Sequence, residues 1–266
     1  MASEQNFGAK IDRNSIALGG PQEEQKEFLQ SLVTNDVERA TSETLVYAAL
    51  LTPQGKYLSD FFIRRTAEGD YTLDVAPAQA EALTKRLTMY KLRRPITLTQ
   101  EDHPVAAIWG EHPPANALPD PRDPALGWRV YSEADAALAD AQAGDYDLHR
   151  LRLAVPESET DLIANDTYIL EAGFERMNGV DFKKGCYVGQ EIVARMKHKT
   201  ELRKGYALVP VSGTAPSGEV IKTNDDKPAG VLYSNRDNIG LALLRLDRAK
   251  SATSLTAANA IVGKPF

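Results

Sequence analysis

The chain has 266 residues, 42% of them apolar and 26% charged, and carries a formal net charge of −6. That length is enough to bury an ample core in one large domain or in two to three smaller ones. The composition is that of an ordinary globular protein, and the acidic balance argues against a general nucleic-acid or membrane binder.

No apolar run approaches the roughly 20 residues needed to span a bilayer. The opening "MASEQNFGAK" has neither the basic nor the apolar region of a secretion signal. A single cysteine, Cys186, forms no intrachain disulfide, so a reducing, cytoplasmic setting is expected. "PQEEQKEFLQSLVTNDV" predicts a helix, with Pro21 suited to the first position and Phe28, Leu29 and Leu32 on one side. "TND" at 34–36 predicts a turn or cap. "LVYAALLTPQGKYLSDFFIRR" predicts a hairpin, with Pro53 and Gly55 supplying the turn, and "YTLDVA" a third strand. "PAQAEALTKRLTMYKL" predicts a helix that opens near Pro77 and lines up Ala80, Leu83, Leu87 and Tyr90. "PITLTQ" and "VAAIWG" predict two more strands. This order indicates an α+β fold around an antiparallel sheet.

The proline-rich stretch 111–127 predicts a long extended connection, and 132–145 a short helix with a serine cap. From about residue 200 the chain reads as short β-like runs between glycine and "NDD" turns, which predicts a small β-barrel or sandwich with no strong helix.

The chemistry concentrates in "KKGCYVGQEIVAR", 183–195. Cys186 lies between Gly185 and Gly189, which permit close backbone approach or positive φ. Lys183 and Lys184 would lower its pKa if they point toward it. From Glu191 onward "EIVARM" predicts either a helix or a strand. The bland alternative is a glycine-rich turn around a packed thiol, since free cysteines behave as small apolar groups. Histidines 103, 112, 149 and 198 show no metal-ligand spacing, and there is no P-loop, no dinucleotide fingerprint and no credible Ser–His–Asp order.

"KGCYVGQE" (184–191) resembles the signature of the YgfZ family of folate-binding, iron–sulfur-related proteins, themselves similar to the aminomethyltransferase (T-protein) of the glycine cleavage system. "LQSLVTNDV" (29–37), "LLTPQGKYLSDFFI" (50–63) and "EAGF" (171–174) resemble the same family in order and spacing. The resemblance implies a ring-like, multi-lobed arrangement with a central pocket for tetrahydrofolate, with or without a polyglutamate tail. It divides the chain into a folate-binding region over 1–199, whose second lobe runs roughly from 45 to 125, and a β-barrel over 200–266.

On that resemblance Glu171 binds the pterin. A pterin presents an N–H and an amino group side by side, and one carboxylate accepts from both. Lys184, Tyr187, Gln190 and Glu191 belong to the signature, and Tyr187 offers an aromatic face to the ligand. Arg195 is the first base of "ARMKHKTELRK" (194–204), a run that is either a solvated face or a dock for the glutamate tail or an anionic partner. Asp36 is a weaker pocket candidate whose competing role is capping. Cys186 matches the signature thiol, a cluster or metal ligand, a sulfur relay or a redox-sensitive group. One cysteine cannot hold a [4Fe–4S] cluster, which takes about four ligands, so any transient cluster needs ligands from elsewhere.

The implied function is a tetrahydrofolate-binding factor that supports assembly or repair of [4Fe–4S] clusters in client enzymes, including radical enzymes that modify tRNA. Its expected partners are iron–sulfur client or carrier proteins, with no direct nucleic-acid and no membrane partner. The alternative is true aminomethyl transfer to tetrahydrofolate. The T-protein's Asn–Ala–Asn–x–x–x–Asp pattern is missing from "DVAPAQAEAL" (74–83), where Asp74 and Glu81 are near but out of register. A demethylating relative and a pure interaction scaffold are further alternatives.

Overall fold

The computed structural model describes residues 6–266 except 103, 133–135, 137–138, 140 and 200–201. His103, much of the helix expected over 132–145, and two residues of the basic run at 194–204 therefore lie outside the described residues.

Two antiparallel sheets and a barrel make up the fold. The first sheet has the order β1 (Phe7–Ile11), β7 (Val105–Trp109), β9 (Trp128–Val130), β8 (Leu118–Pro119). The second has the order β3 (Val46–Leu51), β4 (Tyr57–Arg65), β5 (Tyr71–Val75), β2 (Asn14–Gly19), β6 (Thr97–Asp102). The second sheet takes all its strands from 14–102, the first takes β1 from before that stretch and the rest from after it, and 45–125 contributes strands to both.

Strand β3 shows why "LVYAALL" is a continuous apolar run: all six of its residues are buried. Successive side chains point to opposite faces. Val46, Ala48 and Leu50 enter one core with Phe28, Leu29, Leu83 and Leu87 from helices α1 (Gln22–Gln30) and α2 (Pro77–Lys91). Tyr47, Ala49 and Leu51 enter a second core with Ala9 and Ala107 of the first sheet. Burying each Leu or Phe stabilises by about 1.5–3 kcal/mol. Pro77 opens α2 as its first residue, as expected. Pro21 precedes the first helical residue of α1 instead of occupying that position.

The C-terminal strands close into a barrel of order β10 (Lys204–Ser212), β13 (Ile239–Arg245), β12 (Pro228–Arg236), β11 (Glu219–Thr223), β14 (Leu255–Ala257), β15 (Ala260–Val262). Val209, Ile221, Leu232 and Leu244 fill its centre. Closure leaves no open strand edge. A short helix, Leu246–Ser251, interrupts a region expected to be purely β.

Candidate functional site

The thiol-bearing loop is fixed at both ends. At the first, the "TND" stretch does more than turn the chain. The Thr34 hydroxyl donates to the Gly179 carbonyl at 2.7 Å and accepts from the Ala49 amide at 2.9 Å. Asn35 Nδ2 donates to the carbonyls of Tyr47 and Asn178 at 2.8 and 2.6 Å, and the Asp181 amide donates to Thr34 O at 3.0 Å. The Asp181 carboxylate pairs with Arg39 at 2.5 Å. The start of the loop is thus stitched to the end of α1. Asp36 accepts from the Glu38 amide at 3.1 Å and from Gln30 Nε2 at 2.9 Å, the geometry of a cap on the short 3₁₀ turn Val37–Arg39.

Lys184 completes this anchor. Its buried ammonium donates to the carbonyls of Gln30, Val33 and Asn35 at 2.9, 2.6 and 2.8 Å. A lysine has three protons to give, and all three go to the backbone at the end of α1. None remains for a ligand or for Cys186. Burial pulls the Lys184 ammonium down to about 8, against the opposing pull of Asp36 and Asp181. Lys184→Met should lower the unfolding free energy by about 2–3 kcal/mol, because three carbonyls lose a charged donor. Urea denaturation checks this, and a loss below about 0.5 kcal/mol would contradict the anchoring role.

At the other end Gly189 has φ +85°, and a Cβ there would lie 2.6 Å from Thr52 O and 3.2 Å from Gly55 Cα. Gly55, in the hairpin turn, has φ +72° and packs under Ile192. Two glycines thus let the hairpin tip and the start of helix Gln190–Lys199 touch backbone to backbone. The run from Glu191 is therefore a helix, with Glu191 in the first turn, where a carboxylate complements the helix dipole.

Between the anchors Cys186 is exposed. Gly185 beside it is also exposed, and a Cβ there would meet nothing within 4 Å. Tyr187 turns inward, 7% exposed, into the core with Phe174 and Val193, and the Lys184 ammonium sits 5.3 Å from its ring centre. Burial, with Asp181 adding to it, pushes its hydroxyl up to about 12. Gln190 is half-buried, and Glu191 and Arg195 are exposed. Arg195 has no ion pair among the described residues. Lys197 in the same basic run is tied to Glu175 and lies over the Phe182 ring.

Glu171 lies across the hairpin tip from this helix. Lys56, next to Gly55, rests 3.7 Å from the Tyr168 ring centre. The backbone carbonyl of Glu171 accepts from the Tyr206 amide of the barrel at 2.9 Å. Its half-buried side chain has no hydrogen bond or ion pair among the described residues. Burial raises its pKa, Lys204 and Lys56 oppose this, and Asp166 adds to it. The turn 52–56 therefore brings the signature helix and the Glu171 segment to its two sides.

A second feature escaped sequence reasoning. Arg13, Asp74, Arg129, Asp120 and Arg122 form a buried ion-pair chain: Arg13–Asp74 2.5 Å, Asp74–Arg129 2.9 Å, Arg129–Asp120 3.2 Å and Asp120–Arg122 2.8 Å. It continues through Glu157, 3.8 Å from Arg13 and 3.6 Å from Arg150, to Asp161, 3.0 Å from Arg150. Eight charges alternate in sign, four of each. Asp161 accepts from the Ser234 amide of the barrel at 2.9 Å. Phe62 underlies the chain, with the Arg129 guanidinium 3.9 Å from its ring centre. The available signal was the lone charge in the apolar strand "YTLDVA", which a buried strand tolerates only with a partner. Glu81, the other acid near the T-protein position, is exposed and pairs with Lys85 at 2.5 Å.

Comparison with known proteins places this architecture. Residues 203–263 match the family described as CAF17, C-terminal beta-barrel domain. The chain is 33% identical to the mitochondrial iron-sulfur cluster assembly factor IBA57 homolog of Mycosarcoma maydis, over 84% of this chain and 70% of that protein. It is 30% identical to the mitochondrial IBA57 of Homo sapiens, over 92% of this chain and 79% of that one. The chain belongs to the IBA57 family. A solved structure, the glycine cleavage system aminomethyltransferase T from Bartonella henselae, superposes with a TM-score of 0.74 over 97% of this chain and 84% of that one, at 15% identity. This chain thus has the T-protein fold, with the barrel at its C-terminus.

One expectation is narrowed and one is corrected. The family shown is IBA57, where the signature had pointed to YgfZ, a related family. The cytoplasmic setting is overturned by the IBA57 relatives, whose names place them in mitochondria. That expectation rested on a lone cysteine, which says only that no intrachain disulfide is needed and does not separate one compartment from another. Among the described residues no helix is long and apolar enough to cross a membrane, and no group of three or more His, Cys, Asp or Glu could hold a metal ion.

Proposed function

We propose that this chain is an iron–sulfur cluster assembly factor that offers Cys186 to a cluster in transit or to a client, with tetrahydrofolate held by Glu171. The observation that carries the reading is an exposed thiol on a loop fixed at both ends, in a chain of the IBA57 family. A pinned loop holds the thiol at a set position, and the bare Gly185 leaves its approach uncrowded.

As thiolate, Cys186 supplies one ligand to a [4Fe–4S] cluster. A cluster takes about four, so the rest come from the client, the carrier or a small thiol. The reading includes clients such as tRNA-modifying radical enzymes. The half-buried Glu171 carboxylate fits a pterin, since it has lost part of its water and has no hydrogen-bond partner among the described residues. The pterin N–H and amino group would satisfy both of its oxygens. Exposed Arg195 suits the carboxylates of a polyglutamate tail, and Gln190 and Glu191 border the same helix start. Bound folate would supply a one-carbon carrier. Lys184 and Asp36 stay outside the ligand set, because their polar atoms are engaged within the protein. Aminomethyl transfer is disfavoured, since Asp74 is locked between two arginines and Glu81 lies on the surface with Lys85.

In cells lacking the endogenous protein, Cys186→Ala should fail to restore the activity of [4Fe–4S] enzymes although the variant accumulates normally. Full restoration would sink the thiol reading. Calorimetric titration with tetrahydrofolate tests the other half. Glu171→Gln should weaken binding by about tenfold or more, a loss of about 1.4 kcal/mol. Equal affinities for variant and wild type would remove Glu171 from the site.

A further inference from the structure

Helix α2 leaves one side uncovered. Ala78, Ala82, Arg86 and Met89 follow at spacings of three or four residues and so share a face. The first part of that face lines a cavity of about 410 Å³, with Ala78, Ala82 and Leu83 on the helix, Leu162 and Ile163 from another segment, and Arg86 at its edge. Glu159 and Asn165, which also line it, both have positive φ, +63° and +64°, conformations that non-glycine residues adopt at a cost and that concentrate at functional positions.

Past the cavity the face runs into solvent. Met89 is 75% exposed and Leu92 82% exposed. Leu92 ends the helix at φ +48°, in the left-handed region that a bulky side chain avoids, and the strained turn holds its side chain in water. Arg86 shares this face, Arg93 follows Leu92 in the chain, and neither has an ion pair among the described residues. Lys85 alone on this part of the helix is paired, with Glu81.

We propose that this groove docks an acidic segment of a protein partner, with one apolar side chain seated in the cavity and carboxylates on Arg86 and Arg93. Charge complementarity selects the partner. The whole chain carries −6, so an acidic partner is repelled from most of the surface and steered to this cationic end. Two exposed apolar side chains and one half-open cavity suit a single anchor, whereas a lipid surface calls for a broad apolar face. The groove is separate from the Cys186 loop, and its failure would leave the proposed function standing.

The test is selection of a random twelve-residue peptide library displayed on phage against the purified full chain. The winners should carry two or more Asp or Glu beside a Leu, Phe or Trp. Synthetic copies should lose about tenfold or more in affinity, by fluorescence anisotropy, against Arg86→Glu/Arg93→Glu and against Ala82→Trp, which fills the cavity. All three positions are exposed, and an unchanged melting temperature controls for folding. Winners without acids, winners indifferent to these substitutions, or no winners at all would each overturn the proposal. So would sedimentation of the chain with phosphatidylserine vesicles in a manner abolished by Arg86→Glu/Arg93→Glu, which would make the surface a lipid contact.

Discussion

Asp74→Ala is expected to lower the unfolding free energy by about 3–5 kcal/mol, a large part of the roughly 5–15 kcal/mol that holds a typical domain folded. Asp74 is the carboxylate between Arg13 and Arg129, and all three are buried. It also accepts from the Tyr131 hydroxyl at 2.9 Å. Its removal leaves two buried guanidiniums short of counter-charge, a cost that the lost attraction alone understates. Urea denaturation at pH 7 measures it, and a loss under about 1 kcal/mol would contradict the assignment. Arg13→Met in the Asp74→Ala background should recover part of the loss, because the two positions share one network.

The same chain sets the acid limit of stability. Burial alone would raise Asp120, but Arg122 and Arg129 outweigh it and bring the carboxyl down to about 2, from the 3.8 of an unhindered group. Asp74 is lowered in the same way by Arg13 and Arg129. A depressed carboxylate binds fewer protons folded than unfolded. Its contribution is therefore complete above about pH 4 and drains away as the pH falls toward 2. In Asp74→Ala the decline over that window should be shallower than in the wild type.

Gly189→Ala should destabilise by about 2–4 kcal/mol, while Gly185→Ala, four residues away in the same motif, should stay within about 0.5 kcal/mol of wild type. At 189 the backbone has φ +85° and a methyl would lie 2.6 Å from Thr52 O and 3.1 Å from Leu51 Cβ. Both obstacles belong to the base of the hairpin, which cannot yield without opening. At 185 the φ is ordinary and nothing lies within 4 Å. Paired thermal melts decide the matter, and comparable losses at the two glycines would mean that the loop is not held as described.

Much of this was legible in the sequence, for reasons tied to particular residues. The hairpin around "TPQGK" and the helix at Pro77 carry strong local signals and appear as expected. The barrel was legible from evenly spaced short runs. Strands β1 and β2 were not anticipated, because each is five or six residues long and pairs with strands distant in sequence. "PALG" at 124–127 reads as loop yet forms a 3₁₀ turn that leads into β9. At the site, motif likeness drew attention to Lys184 and Asp36 for ligand binding. Their carbonyl and amide partners lie elsewhere in the fold or in backbone geometry, which spacing does not encode. The buried arginines were invisible for the same reason: Arg13 meets Asp74 across 61 positions.

The first sheet is assembled from chain on either side of the second, which has a consequence for how the protein is made. Phe7 pairs with Trp109, and Asn14 with Asp102. At the ~5–20 residues per second of translation, the first strand waits roughly 5–20 seconds for its neighbour to be synthesised. Through that interval β1 has no strand to pair with, while β2 can already pair with β5, and an unpaired strand invites addition from other chains. A nascent or truncated chain that stops between residues 102 and 105 holds every strand of the second sheet but only β1 of the first. β1 is therefore the segment open to mispairing until that point has been passed.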